Sequence, residues 1–341
     1  MLARTALKRT CAVTRSVRAA RAPPAALVAY LSSSPSSHQS ASPSPLHPSA
    51  PANAAAQPSF STSTGTNTIS PEEIAFFSSL SAEWWNPKGE FGLLHRMNPA
   101  RIQCLRDELL KERELPAARW LEGKEVLDVG CGGGIFAESL ARLGATTLAI
   151  DASGSNITVA QTHASLDPSL HVLNSPIPPA FSSSSSPSST DGRPRNTLEY
   201  RHCAAEDLVK EGKQFDVVCA MEVIEHVEDP RGFLECLGKL LKPGGLLLLS
   251  TISRTPLAKL LTITLAEHVL RLVSPGTHTY HKYIKPAELV GFFDEQGWTG
   301  AEVRGCPYDP LAGKWRLLNP GELGGVGELV NYFAAVRKPV Q

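Results

Sequence analysis

Glu222, Glu225 and His226 bring two carboxylates and an imidazole into one short stretch of the chain. If Met221 to His226 turns helically, Glu222 lies three and four residues before the other two, and all three share one face. Such a set supports two kinds of chemistry. Two carboxylates and an imidazole can hold Mg2+ with coordination positions left open for neighbouring oxygens of a ring. Alternatively, His226 takes a proton as a general base while a glutamate fixes its tautomer. A solvated helix start with a packed histidine uses the same residues. Spacing leaves all three readings open, because Glu-x-x-Glu-His is short and hard cations usually take more oxygen ligands.

A second constellation lies upstream. Val126-Leu127-Asp128-Val129-Gly130-Cys131-Gly132-Gly133-Gly134 sets a glycine-rich turn between a short apolar strand and a helix. There, Gly130 and Gly132 let backbone approach a ligand closely. The third glycine of a dinucleotide fingerprint is replaced by Ile135, and Asp128 puts a carboxylate where a pyrophosphate would sit. S-adenosylmethionine presents an ammonium, a sulfonium and a carboxylate, so an acid at Asp128 is sensible. Asp151 follows Gly130 by 21 residues at the end of the next strand, where it can accept both ribose hydroxyls. A glycine turn that only connects strand to helix, with Asp151 as a helix cap, is the plainer alternative. The two acids in register favour the cofactor.

These residues need elements to carry them. Alternation predicts strands at 125–129, 147–150, 198–203, 215–220 and 246–251, with helices at 135–143, 156–164 and 230–241. Asp229 and Pro230 start the last helix, and Lys242-Pro243-Gly244-Gly245 is expected to stop it. The order implies an α/β, doubly wound and mainly parallel sheet. Ser70-Pro71-Glu72-Glu73 reads as a helix start, and residues 72–120 as a helical lid over a core at 121–341. Residues 174–196 are a low-complexity insertion. In 255–273, Leu257, Leu261, Leu265, Val269 and Leu272 form a helical stripe with Lys259, Glu267 and Arg271 on another face. This segment is expected to cap the site, lie in a membrane interface or pack into the core.

Composition excludes several classes. With 33 basic and 33 acidic residues, no net field draws the chain to nucleic acid or anionic lipid. The seven cysteines form no C-x-x-C pair and suit reduced thiols. No apolar run reaches the roughly 18–20 residues needed to span a bilayer. Arg4, Lys8, Arg9, Arg15, Arg18 and Arg21 precede the first acid, Glu72. Residues 1–60 therefore read as a mitochondrial transit peptide and linker, an ordinary disordered tail being the alternative.

Around these motifs lie Glu83-Trp84-Trp85, Gly89-Glu90-Phe91, Leu94-His95-Arg96-Met97-Asn98-Pro99-Ala100-Arg101, Gly276-Thr277-His278 and Tyr283-Ile284-Lys285-Pro286-Ala287-Glu288-Leu289. With these segments, nearly everything from 72 to 341 resembles the ubiquinone biosynthesis O-methyltransferases. The resemblance implies a class I seven-stranded, Rossmann-like S-adenosylmethionine-dependent methyltransferase fold. Its substrates would be polyprenylated dihydroxybenzoate and demethylubiquinol rings. The place implied is the matrix side of the mitochondrial inner membrane, in peripheral contact and beside other ubiquinone-biosynthesis proteins. The family's cofactor residues fall on Arg101, Gly130, Asp151 and Met221, and its magnesium ligands on Glu222, Glu225 and His226. Arg101 would pair with the methionyl carboxylate in a two-pronged contact. Near adenine, Cys203-Ala204-Ala205 lacks the acid some relatives carry, leaving Glu206 or Asp207. His95 and His278 are secondary candidates for substrate contact. The rival readings are a carbon-methylating ubiquinone enzyme and a silent scaffold. The intact loop, Asp151 and Glu-x-x-Glu-His argue against silence.

Overall fold

A computed structural model of the chain describes Thr68 and residues 70–112, 114–175 and 197–340. The expected transit peptide and almost all of the serine-rich insertion lie outside these residues.

Strand periodicity explains the architecture. In β1 (Glu125–Val129), Leu127 and Val129 face one layer and Val126 the other. The same alternation runs through β5 (Phe215–Met221), β6 (Leu241–Ile252) and β10 (Asn331–Arg337). A strand apolar on both faces must be covered on both. One face takes α5 (Ala205–Lys210), α6 (Pro230–Lys239) and α8 (Pro286–Glu295), through Leu208, Phe233, Leu237, Leu289 and Phe293. The other takes α2 (Gly92–Leu110) and α3 (Ile135–Arg142), through Met97, Leu105, Phe136 and Leu140. Leu248 lies fully buried in this second layer, and Leu248→Ala is expected to cost about 2–5 kcal/mol.

With β2 (Thr146–Asp151), β3 (His171–Leu173), β4 (Thr197–His202) and β7 (Glu302–Gly305), the sheet runs β3-β4-β2-β1-β5-β6-β10-β7. The strands are parallel except β10, which is antiparallel to both neighbours. The sheet thus has eight strands rather than seven. The addition is β3, a three-residue edge strand ahead of the insertion that pairs with β4. Reversal of strand order around β1 opens a crevice at the carboxyl ends of β1, β2 and β5.

Two expectations are corrected. Lys242-Pro243-Gly244-Gly245 does not lie outside the strand: it is a bulge within β6, with Gly244 at φ +74° and the pairing with β5 jumping from Leu241 to Leu246. The apolar segment is not a regular α-helix. After one turn at α7 (Pro256–Ala258) it becomes a π-helix, Lys259–Val269, and Glu267 turns inward to 1% exposure. Among the described residues no helix is long and apolar enough to cross a membrane.

At the amino-terminal side, α1 (Pro71–Ser79) starts as its residues require. Ser70 accepts from the Glu73 amide, Pro71 occupies the first turn, and Glu72 and Glu73 favour the positive end of the helix. A 3-10 turn, Ser81–Glu83, leads towards α2, while 111–112 and 114–124 are turn and coil.

Candidate functional site

The glycine loop, the acids of β1 and β2, the turn after β5, α1 and the π-helix enclose a single cavity of about 500 Å³. That volume is ordinary for a small-molecule site.

On the cofactor side, Gly130 and Gly132 hold φ of +70° and +53°. A Cβ at Gly132 would come within 2.3 Å of the Trp84 ring, so glycine is required by shape as well as by backbone. Trp84 is fixed by its Nε1 donating to Asn156 Oδ1, and Trp85 Nε1 donates to the Gly133 carbonyl. Asp151 accepts from the amides of Gly132 and Ser153 at 2.9 and 2.8 Å, so the acid of β2 shapes the loop of β1. Burial raises the Asp151 carboxyl, and these donors oppose it. Burial likewise pushes Asp128 up to about 7, with Arg101 pulling it down and Asp151 adding to the rise.

Arg101, on α2, is 4% exposed, so it is not the surface arginine its helix position allowed. Its Nε and one terminal nitrogen have no hydrogen-bond partner among the described residues; neither do Asp128 Oδ2 and Glu222 Oε1. Burial lowers the guanidinium, while the charges of Glu222 and Asp128 sustain it. Unpaired buried polar atoms are costly, and four of them, on three residues lining one cavity, mark where a polar ligand belongs. Met221 closes this side from the end of β5.

The turn after β5 departs from the expected helical face. Glu222 sits at φ +57°, held by its amide donating to Ser250, and only Ile224–His226 forms a 3-10 turn. Glu225 is buried and accepts from Thr251 Oγ1 at 2.8 Å; burial, then the neighbouring Glu222 charge, raise its carboxyl well above the usual range. A buried acid beside a half-buried one with an orphaned oxygen is donor chemistry suited to a hard cation. His226 does not join them. Its Nδ1 lies 3.0 Å from Glu73 Oε2 on α1, and Lys282 Nζ lies 3.2 Å from the other oxygen of Glu73. Burial alone would raise the Glu73 carboxyl, but His226 and Lys282 outweigh it and hold it low. Among the described residues, no group of three or more His, Cys, Asp or Glu side chains converges to hold a metal. The two carboxylates fit a cation, and the imidazole keeps its Nδ1 on Glu73.

Of the adenine-side candidates, Glu206 lines the cavity and accepts from the Thr68 hydroxyl at 2.6 Å, whereas Asp207 caps α5 and pairs with Lys210. His95 is bound to the Trp84 carbonyl and does not line the cavity; His278 does. Sequence reasoning missed Glu73, whose only local signal was that of a helix-starting acid. It also grouped Glu267 with Lys259 and Arg271, away from the leucine stripe, without a role in the site.

Residues 93–303 match the family model described as a methyltransferase domain. Two similar proteins carry more specific names. The mitochondrial ubiquinone biosynthesis O-methyltransferase of Schizosaccharomyces pombe is 46% identical over 278 residues, covering 80% of this chain and 88% of that one. The ubiquinone biosynthesis O-methyltransferase of Cereibacter sphaeroides is 38% identical over 276 residues, covering 80% and 98%. Among solved structures, the magnesium protoporphyrin IX methyltransferase of Synechocystis, with S-adenosylhomocysteine bound, aligns at a TM-score of 0.48 and 16% identity over 78% of this chain and 99% of that one.

Proposed function

The chain belongs to the ubiquinone biosynthesis O-methyltransferase family, and from that premise we propose how its cavity moves a methyl group from S-adenosylmethionine to a ring hydroxyl of a polyprenylated ubiquinone precursor. Dihydroxybenzoate and demethylubiquinol rings are the two substrates of this reading. The observation that carries it is the placing of a glutamate-oriented histidine, His226, in the same cavity as the glycine loop.

Methyl transfer is an in-line displacement at a carbon already activated by the sulfonium, so the protein's task is largely positioning. Arg101 receives the methionyl carboxylate, Asp128 the ammonium, and Asp151 the ribose hydroxyls, with Gly130 and Gly132 clearing room for the cofactor. Met221 packs against its body. The nucleophile is the harder part, because a phenol resembles tyrosine and titrates near pH 10. With Nδ1–H donated to Glu73, His226 presents Nε2 as the proton acceptor. The Glu73 charge then stabilises the imidazolium that forms.

Magnesium is the second part of the proposal. Glu222 and Glu225 would hold it, supported by the orphaned Glu222 oxygen and the mutual repulsion of the two acids. His226 would join only through Nε2, with Nδ1 kept on Glu73. Held there, the ion would lower the pKa of a ring hydroxyl and offset the negative charge of the two acids.

The apolar segment supports a lipid-borne substrate. Leu261, Leu265 and Leu272 line the cavity and are also 38%, 37% and 43% exposed, so one surface serves the interior and the outside. Leu260, Val269 and Leu270 extend it outward. We place this face in peripheral contact with the mitochondrial inner membrane, on the matrix side, where other ubiquinone-biosynthesis proteins would be neighbours. The full chain, given labelled S-adenosylmethionine and a prenylated dihydroxybenzoate, is expected to form a methyl ether. Absence of transfer despite intact cofactor binding would overturn the reading.

A further inference from the structure

Glu267 lies on the π-helix, 1% exposed, and all its contacts serve one loop. It accepts from the Gly276 amide at 2.8 Å, the His278 amide at 2.9 Å and His278 Nδ1 at 2.7 Å. A buried carboxylate bound to Nδ1 requires the proton there and fixes the ring's direction. Nε2 is left as the working atom, and among the described residues it has no hydrogen-bond partner. His278 lines the same cavity as Glu222, Glu225 and His226. The loop is pinned again at Ser274, whose amide and hydroxyl both donate to Glu90 ahead of α2. A surface loop needs no such anchoring; a loop that presents an imidazole to a ligand does.

We propose that His278 is a second ring anchor, whose Nε2 hydrogen-bonds the ring oxygen next to the one that receives the methyl group. This rests on the dihydroxy-ring reading above. Two oriented histidines then divide the work: His226 handles the proton of the reacting hydroxyl, and His278 fixes the ring through its neighbour. Glu267 is a positioning residue acting through His278. It also ties ring recognition to the apolar helix that carries it.

The test uses the full chain with two rings, a prenylated 3,4-dihydroxybenzoate and its analogue lacking the non-reacting hydroxyl. Wild type is expected to prefer the dihydroxy ring in kcat/KM by about tenfold. His278→Leu should bring that ratio towards one by raising KM for the dihydroxy ring alone. His278→Gln, whose amide reaches the Nε2 position, should retain most of the preference. Glu267→Gln should raise KM for the dihydroxy ring and spare cofactor affinity by calorimetry. A wild-type ratio near one, or full preference in a His278→Leu protein that binds cofactor normally, overturns the proposal. Failure of wild type to methylate either ring instead overturns the functional reading on which it rests.

Discussion

Glu73 Oε2 lies 3.0 Å from His226 Nδ1, although 153 positions separate the two residues in the chain. In the proposed mechanism the contact makes α1 part of the machinery, because Glu73 orients an imidazole that lines the cavity. Glu73→Ala is therefore expected to lower kcat by about 10- to 100-fold, within the range of general-base catalysis. Glu73→Gln should lose less, since an amide oxygen still accepts from Nδ1–H without stabilising the imidazolium. Calorimetry should find cofactor affinity unchanged in both. Wild-type kcat in Glu73→Ala would remove the contact from the mechanism.

Asp151 shapes the loop through Gly132, and in the proposed reading it also receives the ribose. Asp151→Asn is expected to weaken S-adenosylmethionine binding by about 1.5–3 kcal/mol, the worth of hydrogen bonds to a charged acceptor. Unchanged affinity in the folded variant would take Asp151 out of the cofactor site.

Asp128, with its carboxyl raised to about 7 by burial, gives a pH dependence of definite sign. An acid whose folded pKa exceeds its ordinary value of 3.8 holds its proton more tightly when folded. Its contribution to stability is complete below that value and lost as pH rises through about 7. The cofactor's ammonium favours the ionised form, so binding should tighten from pH 6 to pH 8 as less proton has to be displaced. Asp128→Asn should flatten both trends; calorimetry for binding and denaturant melts for stability are the measurements.

Chelation separates the two roles proposed for the turn after β5. If Mg2+ on Glu222 and Glu225 activates the phenol, exhaustive chelation should stop turnover while S-adenosylmethionine still binds. Glu225→Gln should do likewise, because a neutral amide is a poorer ligand for a hard cation. Full activity in metal-free protein, with His226→Ala still severely impaired, would leave the Glu73-oriented base as the whole account.

Much of this was legible before any coordinates. β1 and the starts of α3 and α6 fall where periodicity and punctuation put them, because short apolar strands and capped helices are decided by neighbouring residues. Gly130, Gly132, Asp128 and Asp151 assemble as their spacing implied, since one βαβ unit carries them all. Long-range contacts were not legible. Nothing near Glu73 marks it as a partner of His226, and nothing near Glu267 shows that it turns inward to Gly276 and His278. The helical face assumed for Glu222, Glu225 and His226 failed for a local reason: the Glu222 amide is drawn to Ser250, which puts the residue at positive φ. The π-helix was hidden because i, i+4 leucines fit either winding.

Methylation of oxygen on a ubiquinone-precursor ring is the reaction proposed for this cavity. Its most direct test is to incubate the purified full chain with methyl-labelled S-adenosylmethionine and a polyprenylated dihydroxybenzoate, then locate the label by mass spectrometry and NMR. One labelled methyl ether on a ring hydroxyl is expected, formed with release of S-adenosylhomocysteine and lost in His226→Ala. Label on a ring carbon, or no label while S-adenosylmethionine remains bound, would contradict it.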